Sequence, residues 1–171
     1  MSATVAELAV RTHGVVPREV LTAGSGLAFL QGLLDGVHPP PPFSRATGIY
    51  LREVAEGRVI FAGMPSAEFL NPIGTVHGGW TSAILDSAMA CAVHTTLERG
   101  QGYTTVEMKL NFVRSITPDV GEVTCEGVVI HRGGTLATSE GKLFDSRGRL
   151  LAHGSETCMI FGASAQATKA A

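Results

Sequence analysis

The sequence has little charge and few cysteines. Charged residues make up 16% of its 171 residues and hydrophobic ones 44%, which is typical of a folded globular domain rather than a disordered chain. The formal net charge of −2 argues against nucleic acid or an anionic membrane as the main partner. Cys91, Cys125 and Cys158 are odd in number and lack C-x-x-C spacing, so we expect neither disulfide bonds nor a structural zinc site.

The sequence also has no long apolar run, and we expect no secretion signal. Residues 1–14 have no basic start followed by an apolar run, and no apolar stretch reaches the ~20 residues that a membrane helix needs. The six histidines form no metal-ligand pattern, and no glycine-rich segment matches a dinucleotide or phosphate-binding fingerprint. We therefore expect a cytoplasmic, single-domain protein without a metal, a cofactor or a membrane partner.

The order of apolar patterns predicts an α+β fold. Residues 17–37 carry a helical stripe that consecutive prolines end, so residues 39–46 are expected to be an extended connector. A hairpin at residues 48–64 and a helix from Gly79 to about Leu97 follow. This helix is apolar on nearly every side, so an antiparallel sheet must curl around it. Four strand-like runs complete the chain, at residues 104–113, 122–130, 135–144 and 150–161. In the first run Val106, Met108, Leu110 and Phe112 alternate with polar residues, which predicts a strand with that face on the core.

One charged residue, Asp86, interrupts the apolar segment from Asn71 to Val93. The sequence has no lysine or arginine between Asn71 and Leu97 that could pair with it locally. Burial without a cation raises the pKa of a carboxyl group, which suits a base or a nucleophile that works near neutrality. The alternative is an aspartate that is held by Ser82 or by a neighbouring backbone group.

The start of this helix is a second candidate for chemistry. Gly78 and Gly79 have backbone N–H groups without a partner inside the helix, and the helix dipole favours negative charge there. Asn71, a few residues upstream, could add a side-chain amide donor. The alternative is that the glycines only form a tight junction, and His77 is as compatible with fixing the loop as with catalysis.

At this point the sequence is similar to a known family. The stretch NPIGTVHGGWTSAILDSA, followed by GYTTVEMKLNFVRSI, resembles the hotdog-fold acyl-CoA thioesterases of the PaaI-like family. The resemblance covers about residues 48–161 and implies an antiparallel sheet wrapped around one long helix. We therefore expect an N-terminal helix and proline-rich connector at residues 1–46, a hotdog domain at 47–161 and a flexible tail at 162–171.

The resemblance also implies roles for single residues. The Gly78 N–H would polarise the thioester carbonyl with the help of Asn71, and Asp86 would be the catalytic carboxylate. Thr105 matches a Ser or Thr position that helps to orient the attacking water, and His77 completes the candidate catalytic set. Whether the carboxylate attacks the thioester or activates water stays open.

Helix geometry bears on how these groups could meet. Eight residues of α-helix separate Gly78 from Asp86 by ~12 Å, too far for one thioester carbon to contact both. The resemblance implies a homodimer with antiparallel helices, in which Gly78 of one chain faces Asp86 of the other. A tetramer built from such dimers is compatible with this arrangement.

The expected activity is hydrolysis of an acyl- or aryl-CoA thioester to a carboxylate and coenzyme A. Arg114 and Arg132, with Lys109 behind them, are candidates for the phosphates, although ordinary solvated basic residues would look the same. We expect the acyl group among Trp80, Met89 and the connector. The alternative function is a non-catalytic acyl-CoA sensor on the same fold, whereas a hydratase is disfavoured because no Asp/His pair is evident. The candidate substrate-binding residues are Gly79, Trp80, Arg114, Arg132 and Gly133.

Overall fold

The fold is a six-stranded antiparallel sheet packed on one long helix. The computed structural model describes residues 9–162. The strands are β1 (Ile49–Ala55), β2 (Arg58–Gly63), β3 (Gln101–Phe112), β4 (Val123–Arg132), β5 (Leu136–Phe144) and β6 (Leu150–Gly162). The helices are α1 (Arg18–Leu21), α2 (Gly26–Leu34), α3 (Pro42–Thr47) and α4 (Gly78–His94), with 3-10 turns at Ala67–Phe69 and Pro118–Val120.

Helix α4 lies against the sheet and forms the centre of the core. The strand order is β1-β2-β4-β5-β6-β3, every neighbouring pair is antiparallel, and α4 packs against β2 to β6. Ile84, Leu85, Ala88 and Met89 are completely buried there. The helix backbone comes so close to β4 that a Cβ atom on Gly127 would lie 2.1 Å from the Ala88 carbonyl oxygen. The predicted α+β arrangement and element order are confirmed.

The N-terminal region differs from the expected single helix and extended connector. Ser25 accepts a hydrogen bond from the Ala28 N–H and starts α2 separately from α1. The connector prediction was wrong in its second half, because residues 42–47 form α3. Pro42 stands in the first turn of that helix, where a missing N–H costs nothing. The first eight residues and residues 163–171, which include most of the predicted tail, lie outside the described range.

Strand β3 forms an edge of the sheet and does not have the buried face that its alternation predicts. Met108 and Leu110 are half-buried against the core, but Val106 is 53% and Phe112 58% exposed. The pairing with β6 shifts register between Thr105 and Glu107, which indicates a bulge. The expectation for Val106 and Phe112 was wrong because the bulge re-aims side chains and the strand has a neighbour on one side only.

Two sequence-based expectations, free cysteines and no membrane-spanning helix, can be compared with the described residues. Cys91, Cys125 and Cys158 are free thiols. Within residues 9–162, the helices are too short or too polar to cross a lipid bilayer.

Candidate active site

The loop before α4 is shaped by Asn71. Its side-chain oxygen accepts hydrogen bonds from the Ile73 and Thr75 N–H groups at 3.1 and 3.2 Å, and its Nδ2 donates to Thr75 Oγ1 at 2.8 Å. Such bonds from an asparagine to its own following backbone are typical of tight turns. In this structure the Asn71 amide therefore orders the chain that leads to the helix start.

His77 caps α4 and distinguishes the two glycines that follow. Its Nδ1 accepts a hydrogen bond from the Gly79 N–H at 2.9 Å, so that donor is occupied. The Gly78 N–H has no hydrogen-bond partner among residues 9–162, and Gly78 is partly exposed beside the Phe112 ring. A free N–H at a helix start can bind and polarise an oxygen on which negative charge develops.

Asp86 lies in the middle of α4 with its side chain half-buried. Burial raises the pKa of its carboxyl group, and a hydrogen bond with Thr105 lowers it in part. Asp86 forms no ion pair with any residue of the described range. The predicted lone carboxylate is thus half-buried and contacts the Thr105 hydroxyl. Gly78 lies eight residues away on the same continuous helix, so one chain does not bring the two together.

A second carboxyl group, Glu156, lies beside Thr105 and was missed by sequence reasoning. Its side chain is 1% exposed, and its Oε1 lies 2.5 Å from Thr105 Oγ1 and 3.3 Å from Cys158 Sγ. Burial, with a further contribution from the Asp86 charge, raises the pKa of Glu156 to about 7. The sequence could have predicted this burial, because alternate residues of a strand share one face. Glu156 shares a face of β6 with Ala152, Cys158 and Ile160, which are all apolar and buried.

Two further side chains line this polar cluster. Burial and, to a smaller extent, the negative charge of Asp86 raise the pKa of the Cys91 thiol to about 12. Burial also raises the pKa of the neighbouring Tyr103 well above its ordinary value. Both groups therefore stay neutral near pH ~7, so any negative charge in this cluster lies on a carboxyl group.

A pocket of about 230 Å³ opens beside Asp86, between α4 and the N-terminal helices. Asp86, Ser87 and Cys91 form part of its α4 wall, and Tyr50 and Tyr103 also line it. Of the expected acyl-binding groups, the connector lines the pocket, whereas Trp80 and Met89 are buried in the core and Trp80 Nε1 donates to the Thr47 carbonyl at 2.8 Å. The N-terminal residues that cover it are Leu30, Leu33, Pro40, Pro41, Phe43 and Ser44.

The two candidate phosphate-binding arginines lie at opposite ends of the sheet. Arg114 follows the end of β3 and lines an open polar cleft with Arg147 and Arg149. Arg132 ends β4, hydrogen-bonds to Gln101 at the start of β3 at 3.0 Å and contacts the Gly133 carbonyl. The length of β3 separates the two ends by roughly 35 Å.

The remaining substrate-binding candidates are also located. The Gly133 N–H donates to the Leu136 carbonyl at 2.8 Å and closes the turn between β4 and β5. Lys109 is exposed on β3. Sequence reasoning missed Arg147 and Arg149, because they stand in a turn that contains only ordinary turn residues. One arginine of this cleft is already paired, since Arg149 donates to Asp145 at 2.6 Å.

Comparison with known proteins gives the family. A model of the thioesterase superfamily matches residues 73–152. Human acyl-coenzyme A thioesterase 13 is 34% identical over 118 residues, which span 67% of this chain and 82% of the human protein. A phenylacetic acid degradation-related protein of Ralstonia eutropha JMP134 is 30% identical, with a TM-score of 0.70 and coverage of 77% of this chain and 98% of its own.

A mutant of the phenylacetic acid degradation protein PaaI from Thermus thermophilus is 28% identical. It has a TM-score of 0.62 and covers 69% of this chain and 97% of its own. The likeness of these structures extends over the sheet and the central helix described above. The chain therefore belongs to the thioesterase superfamily, as a PaaI-like, hotdog-fold thioester hydrolase.

Proposed function

We propose that this protein hydrolyses acyl-CoA thioesters at sites that are shared between the two chains of a homodimer. The observation that carries the proposal is the half-buried carboxyl group of Asp86, which has no cationic partner in the described range and lines an apolar pocket. The name of the human relative, an acyl-coenzyme A thioesterase, supports the substrate class.

In this proposal each group has a separate task. The Gly78 N–H binds the thioester oxygen and stabilises the charge that develops on it. Asp86 attacks the carbonyl carbon or takes a proton from the attacking water, and Thr105 hydrogen-bonds to that carboxylate. His77 and Asn71 hold the helix start and its loop in place through the bonds described above.

The dimer is supported by the exposed edge of the sheet. Strand β3 has twelve residues, pairs with β6 on one side and exposes Val106 and Phe112. A long edge strand with apolar side chains is suited to pair with another chain. Antiparallel pairing of two β3 strands would place the two α4 helices antiparallel, so that Gly78 of one chain approaches the partner's Asp86.

We assign the acyl group to the pocket beneath the N-terminal helices. Its lining is largely apolar and its volume is about 230 Å³, which suits the apolar body of an acyl group. The nucleotide would lie outside, where the Arg114 end of one chain meets the Arg132 end of the other in an antiparallel dimer.

The test is thiol release from a panel of acyl-CoAs of increasing length by wild type, Asp86→Asn and Asp35→Asn. The Asp86 variant should lose ~10²–10⁴-fold in kcat, since a positioned carboxylate contributes that much. The exposed Asp35 provides a matched control and should leave turnover unchanged. Near-wild-type turnover of the Asp86 variant, or saturable acyl-CoA binding without thiol release by wild type, would overturn the proposal.

A further inference from the structure

Glu156 is a buried acid with no counter-charge. Its Oε2 atom has no hydrogen-bond partner among the described residues, and no lysine, arginine or histidine pairs with it there. An ionised carboxylate that is buried without a cation is costly, so the neutral acid is the favoured form. The burial of this group next to Asp86, despite its energetic cost, indicates that it has a role in the candidate site.

The hydroxyl of Thr105 lies between two carboxyl groups. Its Oγ1 is 2.5 Å from Glu156 Oε1, and it faces Asp86 closely enough to lower the pKa of that carboxyl group. A hydroxyl group has one proton to donate and can accept others. If both acids were ionised, Thr105 could serve only one of them. If Glu156 is neutral, the three groups form an ordered chain of donors.

We propose that Glu156 is a positioning residue that keeps its proton and donates it in a hydrogen bond to Thr105 Oγ1, which leaves the Thr105 proton to donate to Asp86. No proton is transferred along this chain in the resting enzyme. The chain fixes the orientation of the Asp86 carboxylate, so the inference rests on the proposed catalytic role of Asp86.

The groups around Glu156 leave it as the acid that titrates near neutrality. Asp86 and Cys91 face it from α4, Tyr103 and Thr105 from β3, and Cys158 from β6 itself. Ser139, its buried partner in register on β5, carries no charge. Burial raises the pKa of Cys158 to about 12, so the thiols and the phenol stay neutral while Glu156 ionises at about 7.

This proposal predicts that the activity falls when the pH rises above about 7. Below a pH of about 7 Glu156 is protonated and the chain of donors is intact. Above it, Glu156 becomes a carboxylate that accepts the Thr105 proton, and Asp86 loses its donor while it faces a second negative charge. We expect kcat to fall with an apparent pKa near 7.

The experiment compares wild type with E156Q, E156A and E140Q across this range. Glutamine stays neutral at every pH and can donate its amide N–H to Thr105, so E156Q should keep kcat near pH ~6 and lose the alkaline fall. E156A has no donor and should lose about tenfold in kcat at every pH, the worth of one hydrogen bond. Glu140 is partly exposed on β5, and E140Q should retain the wild-type profile.

Infrared difference spectra give a readout that does not depend on turnover. The carbonyl stretch of a protonated acid should appear below a pH of about 7 in wild type, should persist only up to a lower pH in Asp86→Asn, which lacks the Asp86 charge, and should be absent from E156Q. A result without that band would overturn the proposal even if the enzyme is active. If the band is present but no acyl-CoA is hydrolysed, the proposed function fails and not the protonation of Glu156.

Two kinetic outcomes would also overturn the proposal. One is a wild-type alkaline fall that persists in E156Q. The other is an E156Q that melts like wild type and is inactive at every pH, because the carboxyl group itself would then be required. Thermal unfolding of each variant separates these outcomes from misfolding.

Discussion

Single residues at the start of α4 divide the work between structure and chemistry. His77 accepts the Gly79 N–H, and Asn71 satisfies the backbone of its own loop. Both residues would be costly to replace for structural reasons alone, since caps and turn bonds are worth about 1 kcal/mol each. Gly78 is the residue at this helix start whose donor is left for a ligand in the described structure.

Arg132 provides a prediction at this scale. Arg132→Ala should raise KM for an acyl-CoA by about tenfold, the worth of a lost charged hydrogen bond, with a smaller effect on kcat. An acyl-pantetheine, which lacks the nucleotide, should be hydrolysed as by wild type. Arg45, exposed on α3, is the matched control. Equal damage with both substrates would show that Arg132 only braces the turn through Gln101 and Gly133.

At the scale of elements, the separation between α4 and the sheet is fixed by glycine. A Cβ atom at Gly127 would lie 2.1 Å from the Ala88 carbonyl oxygen and 2.4 Å from its carbon. Backbone atoms cannot move aside as a flexible side chain can, so the helix itself would have to shift. Because α4 carries both Gly78 and Asp86, such a shift would disturb the candidate site as well as the core.

Gly127→Ala should therefore lower the free energy of unfolding by about 2 kcal/mol, as overpacking of a core does. Denaturant unfolding measures it. Gly134→Ala is the control: it places a Cβ with nothing within 4 Å and should change stability by less than ~0.5 kcal/mol. Equal stability of the two variants would contradict the close approach of α4 to β4.

At the scale of the whole molecule, the continuous helix α4 keeps the two halves of the proposed site apart within one chain. Gly78 lies at the start of the helix and Asp86 in its middle. Gly78 and Asp86 are separated by eight residues of unbroken helix, while the edge strand β3 is available for pairing. Within one chain, the free N–H and the carboxylate cannot act on the same carbon. The proposed homodimer would account for both features.

Complementation tests this assembly. Asn71→Ala and Asp86→Ala should each be inactive as homodimers, but a mixture that is unfolded and refolded contains about half hybrid dimers. Each hybrid has one site with both lesions and one with neither, so about a quarter of wild-type activity should return. Refolded single variants are the controls. If hybrids are demonstrably present and activity stays at the level of the parents, both residues act within one chain.

The local pattern of the sequence by itself determined the element order, the apolar helix with its single carboxylate, and the glycines at its start. These features are local, because helix and strand periodicity and unpaired donors at a helix start depend on neighbours in the chain. The wrong expectations concern the tertiary environment of single side chains. Val106 and Phe112 are exposed at the sheet edge instead of buried, and Trp80 is buried in the core instead of lining the acyl pocket.

Only the tertiary structure decided which distant groups meet. Glu156 reaches Thr105 from a position 51 residues away because β6 pairs with β3, and periodicity alone does not state which strands are neighbours. The pocket likewise arises where α2 and the connector fold over α4, next to Asp86. Burial in that assembled environment, rather than the local sequence, raises the pKa of both carboxyl groups.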